Sequence, residues 1–118
     1  MNKKYDLISL GEVMMRLTVP RDERLVCGNS FSRGAGGSEL SVAAGASLLG
    51  LRTAFLTKLP ENDLGFYIKN CILSSGVSTE YLAFDSLPDA RLGTYFYEFG
   101  AVPRKPKVVY DRAAASVN

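Results

Sequence analysis

Residues 34–50, Gly-Ala-Gly-Gly-Ser-Glu-Leu-Ser-Val-Ala-Ala-Gly-Ala-Ser-Leu-Leu-Gly, constrain the fold more than any other stretch. They read as a glycine-rich turn that becomes an amphipathic helix. Leu40, Ala43, Ala44, Ser47 and Leu48 recur at the 3.6-residue period of one helix face. Their small size suits close packing on a sheet, and Gly50 gives the stop expected just past a helix end. Gly36 and Gly37 leave no side chain between the backbone and a ligand. Ser38 and Ser41 are placed to cap free amides or to reach a bound group. A helix start carries unpaired N–H groups and the positive end of the dipole, which suits an oxygen-rich or anionic ligand. Taken alone, Gly-Gly-Ser more often serves a plain loop and cap than a ligand site. A dinucleotide fingerprint does not fit, because Glu39 stands where its third glycine would be. A Walker-type phosphate loop lacks its Lys-Ser/Thr.

The flanking chain supplies the sheet. Residues 5–10 form an apolar run ending at Gly11 and read as a buried, central parallel strand. Residues 52–58 give the next strand, ended by Leu59-Pro60. Asn62 or Asp63 opens a second helix, with Leu64, Tyr67 or Ile68, Cys71 and Ile72 facing inward. Ser74-Ser75-Gly76 closes that helix, and residues 80–84 form a short strand. Strands and helices thus alternate as in a parallel βαβ core. Residues 13–19, 25–33, 91–99 and 107–111 read instead as strands of a small antiparallel flap. The expected fold class is α/β, with the core at about 5–11 and 34–90 and the flap at about 13–33 and 91–112. The 118 residues are expected to belong to one domain and to be its N-terminal portion, because a parallel sheet needs helices on both faces.

Composition narrows the chemistry. No histidine is present, which removes Ser-His and Cys-His nucleophile systems and most zinc sites. No metal site is expected. A net charge of +2, with scattered Lys and Arg, argues against nucleic acid as a partner. No apolar run approaches membrane-spanning length and no signal peptide is evident, so a cytoplasmic protein without a membrane partner is expected. Cys27 and Cys71 read as two buried free thiols.

The glycine turn and both helices resemble the PfkB, or ribokinase-like, family of sugar kinases. The resemblance rests on Gly36-Gly37-Ser-Glu-Leu-Ser41-Val-Ala, Leu49-Gly50-Leu-Arg-Thr-Ala-Phe, Lys58-Leu-Pro-Glu-Asn-Asp63-Leu-Gly65 and Ser75-Gly76-Val77. Arg91-Leu-Gly-Thr-Tyr-Phe and Val109-Tyr-Asp-Arg112-Ala look like the 2-keto-3-deoxygluconate kinase branch. A member of the family runs to roughly two to three times this length. The resemblance implies a sugar held between core and flap, with ATP and Mg2+ delivering the γ-phosphoryl to the 6-hydroxyl. It also implies a homodimer formed through the flap.

Carried over by position, Gly36, Gly37 and Ser38 line the sugar at the helix start, and Ser41 stands where the family usually has an Asn. Tyr95 covers the sugar, and Tyr110 with Arg112 meets its carboxylate end. An Arg fork binds a carboxylate through two parallel hydrogen bonds. Arg16 stands where ribose and fructose kinases tend to have an Asp, and a cation there suits an acidic substrate. Outside the resemblance, Arg112 reads as a solvated strand-end cation and Tyr95 and Tyr110 as ordinary strand aromatics. The family's catalytic Asp and ATP loops lie beyond residue 118, so the chain by itself is expected to be inactive. Asp63 and Asp111 read as a helix cap and a strand-end residue. A kinase for a neutral sugar such as fructose or ribose, and a non-catalytic dimerising module, are the alternatives.

Overall fold

The computed structural model describes residues 3–118. In chain order its elements are β1 (Leu7–Leu10), β2 (Met14–Thr18), β3 (Ser32–Gly36), α1 (Ser38–Leu48), β4 (Thr53–Leu56), β5 (Lys58–Pro60), α2 (Asp63–Ser74), β6 (Ala83–Asp85), β7 (Thr94–Glu98) and β8 (Lys107–Asp111). The fold is α/β, as the alternation of elements implies.

The core is a parallel assembly built by two helical crossovers. β1 pairs with β4, Leu7 opposite Thr53 and Leu10 opposite Leu56. β5 continues the line of β4 after a break at Thr57 and pairs in parallel with β6. Between these pairs the amides of Phe55 and Ala83 donate to the carbonyls of Ser78 and Thr57. At the mouth of β1, the Asp6 carboxylate accepts the Arg52 backbone N–H at 2.9 Å and faces its side chain, which holds the carboxyl below its ordinary range. α1 lies on β1 and β4, while α2 lies against β3 and β5. Val13, Met15, Leu40, Ala43, Phe55, Leu59, Ile68, Ile72, Val77 and Leu92 fill the interior.

Both helices end as the sequence implies. Gly50 and Gly76 adopt φ of +93° and +78°, the left-handed region open to glycine at a helix end. The Asn62 side chain accepts the N–H groups of Leu64 and Gly65, so Asn62 is the cap and Asp63 the first helical residue. The inward face of α2 is turned slightly from expectation. Gly65, Ile68 and Ile72 are buried, whereas Leu64 is 47% exposed. Gly65 faces inward because helix and strand meet there with no room between them. A Cβ at this position would overlap the Pro60 carbonyl oxygen. Gly65→Ala is therefore expected to cost about 1–3 kcal/mol by forcing α2 away from β5, measurable as a lower urea midpoint. An unchanged midpoint would mean that this approach is loose.

The second sheet has the order β3-β2-β7-β8. It is antiparallel within its two hairpins and parallel where β2 meets β7, because both strands leave the core in the same direction. Several expectations change here. Residues 25–27 form a turn, held by Glu98 accepting the Leu25 N–H at 2.7 Å, and the return strand is Ser32–Gly36. Gly34 and Gly36 are thus strand residues, not a turn. Cys27 is exposed and Cys71 half-buried, both free, so the expected burial of both thiols does not hold. In the core, β1 pairs with β4 among the described strands, and Ile8 is 50% and Leu10 69% exposed. Leu48, counted on the inner face of α1, is also exposed, because that helix buries only its first turns, at Leu40 and Ala43.

Candidate functional site

Strand alternation selects one face of the flap sheet. Along β2 the residues Met14, Arg16 and Thr18 point one way, as do Tyr95 and Tyr97 along β7. Pairing then aligns them into cross-strand rows. Gly34, Arg16, Tyr95 and Tyr110 form one row across all four strands. Ser32, Thr18, Tyr97 and Val108 form the next. This face, the carboxyl end of β1 at Gly11 and Glu12, and the start of α1 enclose an open cleft of about 1160 Å³. Ligands of parallel α/β sheets bind outside the carboxyl ends of the strands, which is where this cleft lies.

Gly36, Gly37, Ser38, Arg16, Tyr95, Tyr110 and Arg112 all line the cleft. Ser41 does not. Its hydroxyl donates to the Gly37 carbonyl at 3.1 Å, and the side chain is exposed on α1. Neither serine caps the helix. Gly37 is the N-cap without a side-chain bond, and the Ser38 hydroxyl lies 3.2 Å from the Glu39 carboxylate. The first amides of α1 are thus left for whatever occupies the cleft.

The two glycines are required by crowding, not by a turn. Gly37 is extended, with φ of 170°. A Cβ on Gly37 would stand 2.6 Å from the Glu12 carbonyl oxygen, and one on Gly36 would overlap the Tyr95 hydroxyl. Tyr95 is thereby laid across the end of β3 at the helix start.

The aromatic wall consists of two pairs. Tyr95 and Tyr110 have ring centroids 5.8 Å apart, and Tyr97 meets Phe99 edge to face at 5.2 Å. The Arg21 guanidinium lies 4.2 Å from the Phe99 centroid, and that of Arg112 lies 5.7 Å from the Tyr110 centroid. Cations therefore stand on an apolar, hydroxyl-bearing surface. Such a surface can hold the flat and apolar parts of a small polyol while binding a negative group.

Glu12 is the residue that the sequence reading missed. Its Oε1 lies 2.5 Å from Nη2 of Arg112, and its side chain is 12% exposed against 50% for the arginine. The signal available in the sequence was its position, directly after the glycine that ends β1. Asp63 and Asp111 do not line the cleft, and Asp111 pairs with Arg91 at 2.5 Å. Among the described residues, no three His, Cys, Asp or Glu side chains converge to hold a metal ion, and no helix is long and apolar enough to cross a membrane.

Residues 4–118 match the pfkB family carbohydrate kinases. The 2-dehydro-3-deoxygalactonokinase of Haloferax volcanii is 40% identical over 112 residues, covering 95% of this chain and 34% of that protein. The 5-dehydro-2-deoxygluconokinase of Bacillus licheniformis is 32% identical over 88 residues, covering 70% of this chain and 26% of that protein. The crystal structure of 2-dehydro-3-deoxygluconokinase from Thermotoga maritima superposes with a TM-score of 0.88 at 40% identity, over 94% of this chain and 33% of that one. The chain spans about a third of the length of these relatives, at their N-terminal portion.

Proposed function

The chain belongs to the pfkB family of carbohydrate kinases, and from that premise we propose that it is the sugar-binding portion of a kinase that phosphorylates 2-keto-3-deoxygluconate, or its galactonate epimer, at the 6-hydroxyl. The observation that carries this reading is Arg112 held at the rim of the cleft beside Tyr110, across the flap from Arg16. A neutral sugar takes only single, uncharged hydrogen bonds from a guanidinium, whereas a carboxylate takes two parallel, charge-assisted ones. The names of the relatives agree, since each denotes a kinase for a deoxy keto-acid.

On this reading the sugar lies against Gly36, Gly37 and Ser38, covered by Tyr95, with its acid end toward Arg112. Phosphoryl transfer needs an in-line hydroxyl, an acceptor for its proton and charge neutralisation on the phosphate. The chain spans about a third of the length of its relatives, and the resemblance puts the ATP loops and the catalytic Asp in the part beyond it. ATP with Mg2+ and the proton acceptor are therefore proposed to belong to the rest of the protein. These 118 residues alone are proposed to be inactive, and the protein is proposed to work in the cytoplasm.

The test is a panel assay of the full-length protein, following ATP consumption with both 2-keto-3-deoxy acids, 5-keto-2-deoxygluconate, fructose and ribose. The reading expects the 2-keto-3-deoxy acids to have the highest kcat/KM and the product to carry phosphate on O6. Preference for fructose or ribose would overturn it.

A further inference from the structure

Arg112 follows the last residue of β8 and is half-exposed, and within its own strand its guanidinium meets only the Tyr110 ring, 5.7 Å from the centroid, a contact that does not set the plane of the fork. Glu12 is fixed firmly. Its carbonyl is pressed against Gly37, and its Oε2 is buried beside Gly93, where a Cβ would come within 2.8 Å of it. That oxygen has no hydrogen-bond partner. A carboxylate oxygen in this state costs free energy unless its charge is answered nearby, and Arg112 answers it through Oε1. The grip uses Nη2 alone. Among the described residues Nε and Nη1 of Arg112 have no protein partner, so one edge of the fork stays free at the cleft.

We propose that Glu12 is the positioning residue that aims Arg112 at the carboxylate of the substrate. It holds one end of the guanidinium from the carboxyl end of β1, so that the remaining N–H edge is presented to the ligand in a set direction. This rests on the sugar-acid reading above and deepens it. Glu12 contributes through Arg112 and not by touching the acid, since two carboxylates would repel. Glu39, on the first turn of α1, is the other carboxylate that lines the cleft, and it makes no ion pair with Arg112. A bidentate fork needs its plane set before the ligand arrives, because ordering a long side chain at the moment of binding costs affinity.

The experiment uses full-length protein, with 2-keto-3-deoxygluconate and its neutral methyl ester as paired substrates. Glu12→Gln keeps the shape and removes the charge. It is expected to raise KM for the acid roughly 10- to 100-fold, with a much smaller change for the ester. In an Arg112→Ala background the same substitution is expected to add nothing further for the acid. Glu12→Asp, which keeps the charge but withdraws it by one methylene, is expected to fall between and guards against a misfolded Gln variant. Equal effects on acid and ester, or full additivity with Arg112→Ala, would overturn the positioning role while leaving the sugar-acid reading intact. Failure of that reading would show in the wild type itself, as a protein that does not favour the acid over its ester, and the proposal would fall with it.

Discussion

Phe55→Ala is expected to remove about 3–5 kcal/mol of folding stability, the largest loss from any single truncation considered. The side chain is fully buried at the middle of β4, where Val13, Leu40, Ala43, Ile68 and Val77 belong to the same cluster. Its backbone is also committed, pairing with Ser9 on β1 and donating to the Ser78 carbonyl at 3.2 Å. Neighbours held by a strand on one side and helices on the other cannot collapse into the space left behind, so a cavity persists. Domains are stable by only about 5–15 kcal/mol, so the variant sits near the edge of folding. Urea titration should show a lower midpoint at unchanged slope. A loss below about 1 kcal/mol would mean that this core is not packed as described.

Arg112→Ala in the full-length protein should weaken binding of a 2-keto-3-deoxy acid by about 2–5 kcal/mol, at least roughly 30-fold. Two effects add. The ligand carboxylate loses a paired fork, and Glu12, whose Oε2 is already buried without a partner, also loses the counter-charge at its Oε1. The loss should fall toward the lower end, because half of the arginine side chain faces water before a ligand arrives. Arg112→Lys restores the charge but not the planar fork and should recover only part of the affinity. Calorimetric titration with the acid checks both. Unchanged affinity would remove Arg112 from the site.

The local grammar of the chain was readable without coordinates. Asn62 and Gly76 bound α2 because an amide cap and a left-handed stop are read within a few residues of where they act. Gly50 marks the end of α1 for the same reason. The alternation of Met14, Arg16 and Thr18, and of Tyr95 and Tyr97, fixed which side chains share a face before the strands were paired. Tyr95, Tyr110 and Arg112 came from the family resemblance; the two tyrosines share the cleft because they are paired across β7 and β8, and Arg112 joins them just past the end of β8.

What the sequence hid was long-range. β2 and β7 are separated by 75 residues of intervening chain, and no local signal says that they pair in parallel. The same separation hid Glu12, which meets Arg112 across a hundred residues. Gly34 and Gly36 were read as a turn because glycine punctuates chains. Here the glycines lie in a strand, and Gly36 is needed because Tyr95 crosses it. Leu48 followed the helical period yet lies open, since the period tells which face points inward and not how far along the helix the sheet extends.

The central claim is that the cleft between the flap sheet and the start of α1 seats a sugar acid with its carboxylate on Arg112. A crystal structure of the full-length protein with 2-keto-3-deoxygluconate tests it most directly. The account predicts the ligand against Gly36, Gly37 and Ser38, beneath Tyr95, with its carboxylate within hydrogen-bond distance of Arg112 and Glu12 still gripping Nη2. A ligand bound elsewhere, or turned so that its carboxylate points away from Arg112, would contradict it.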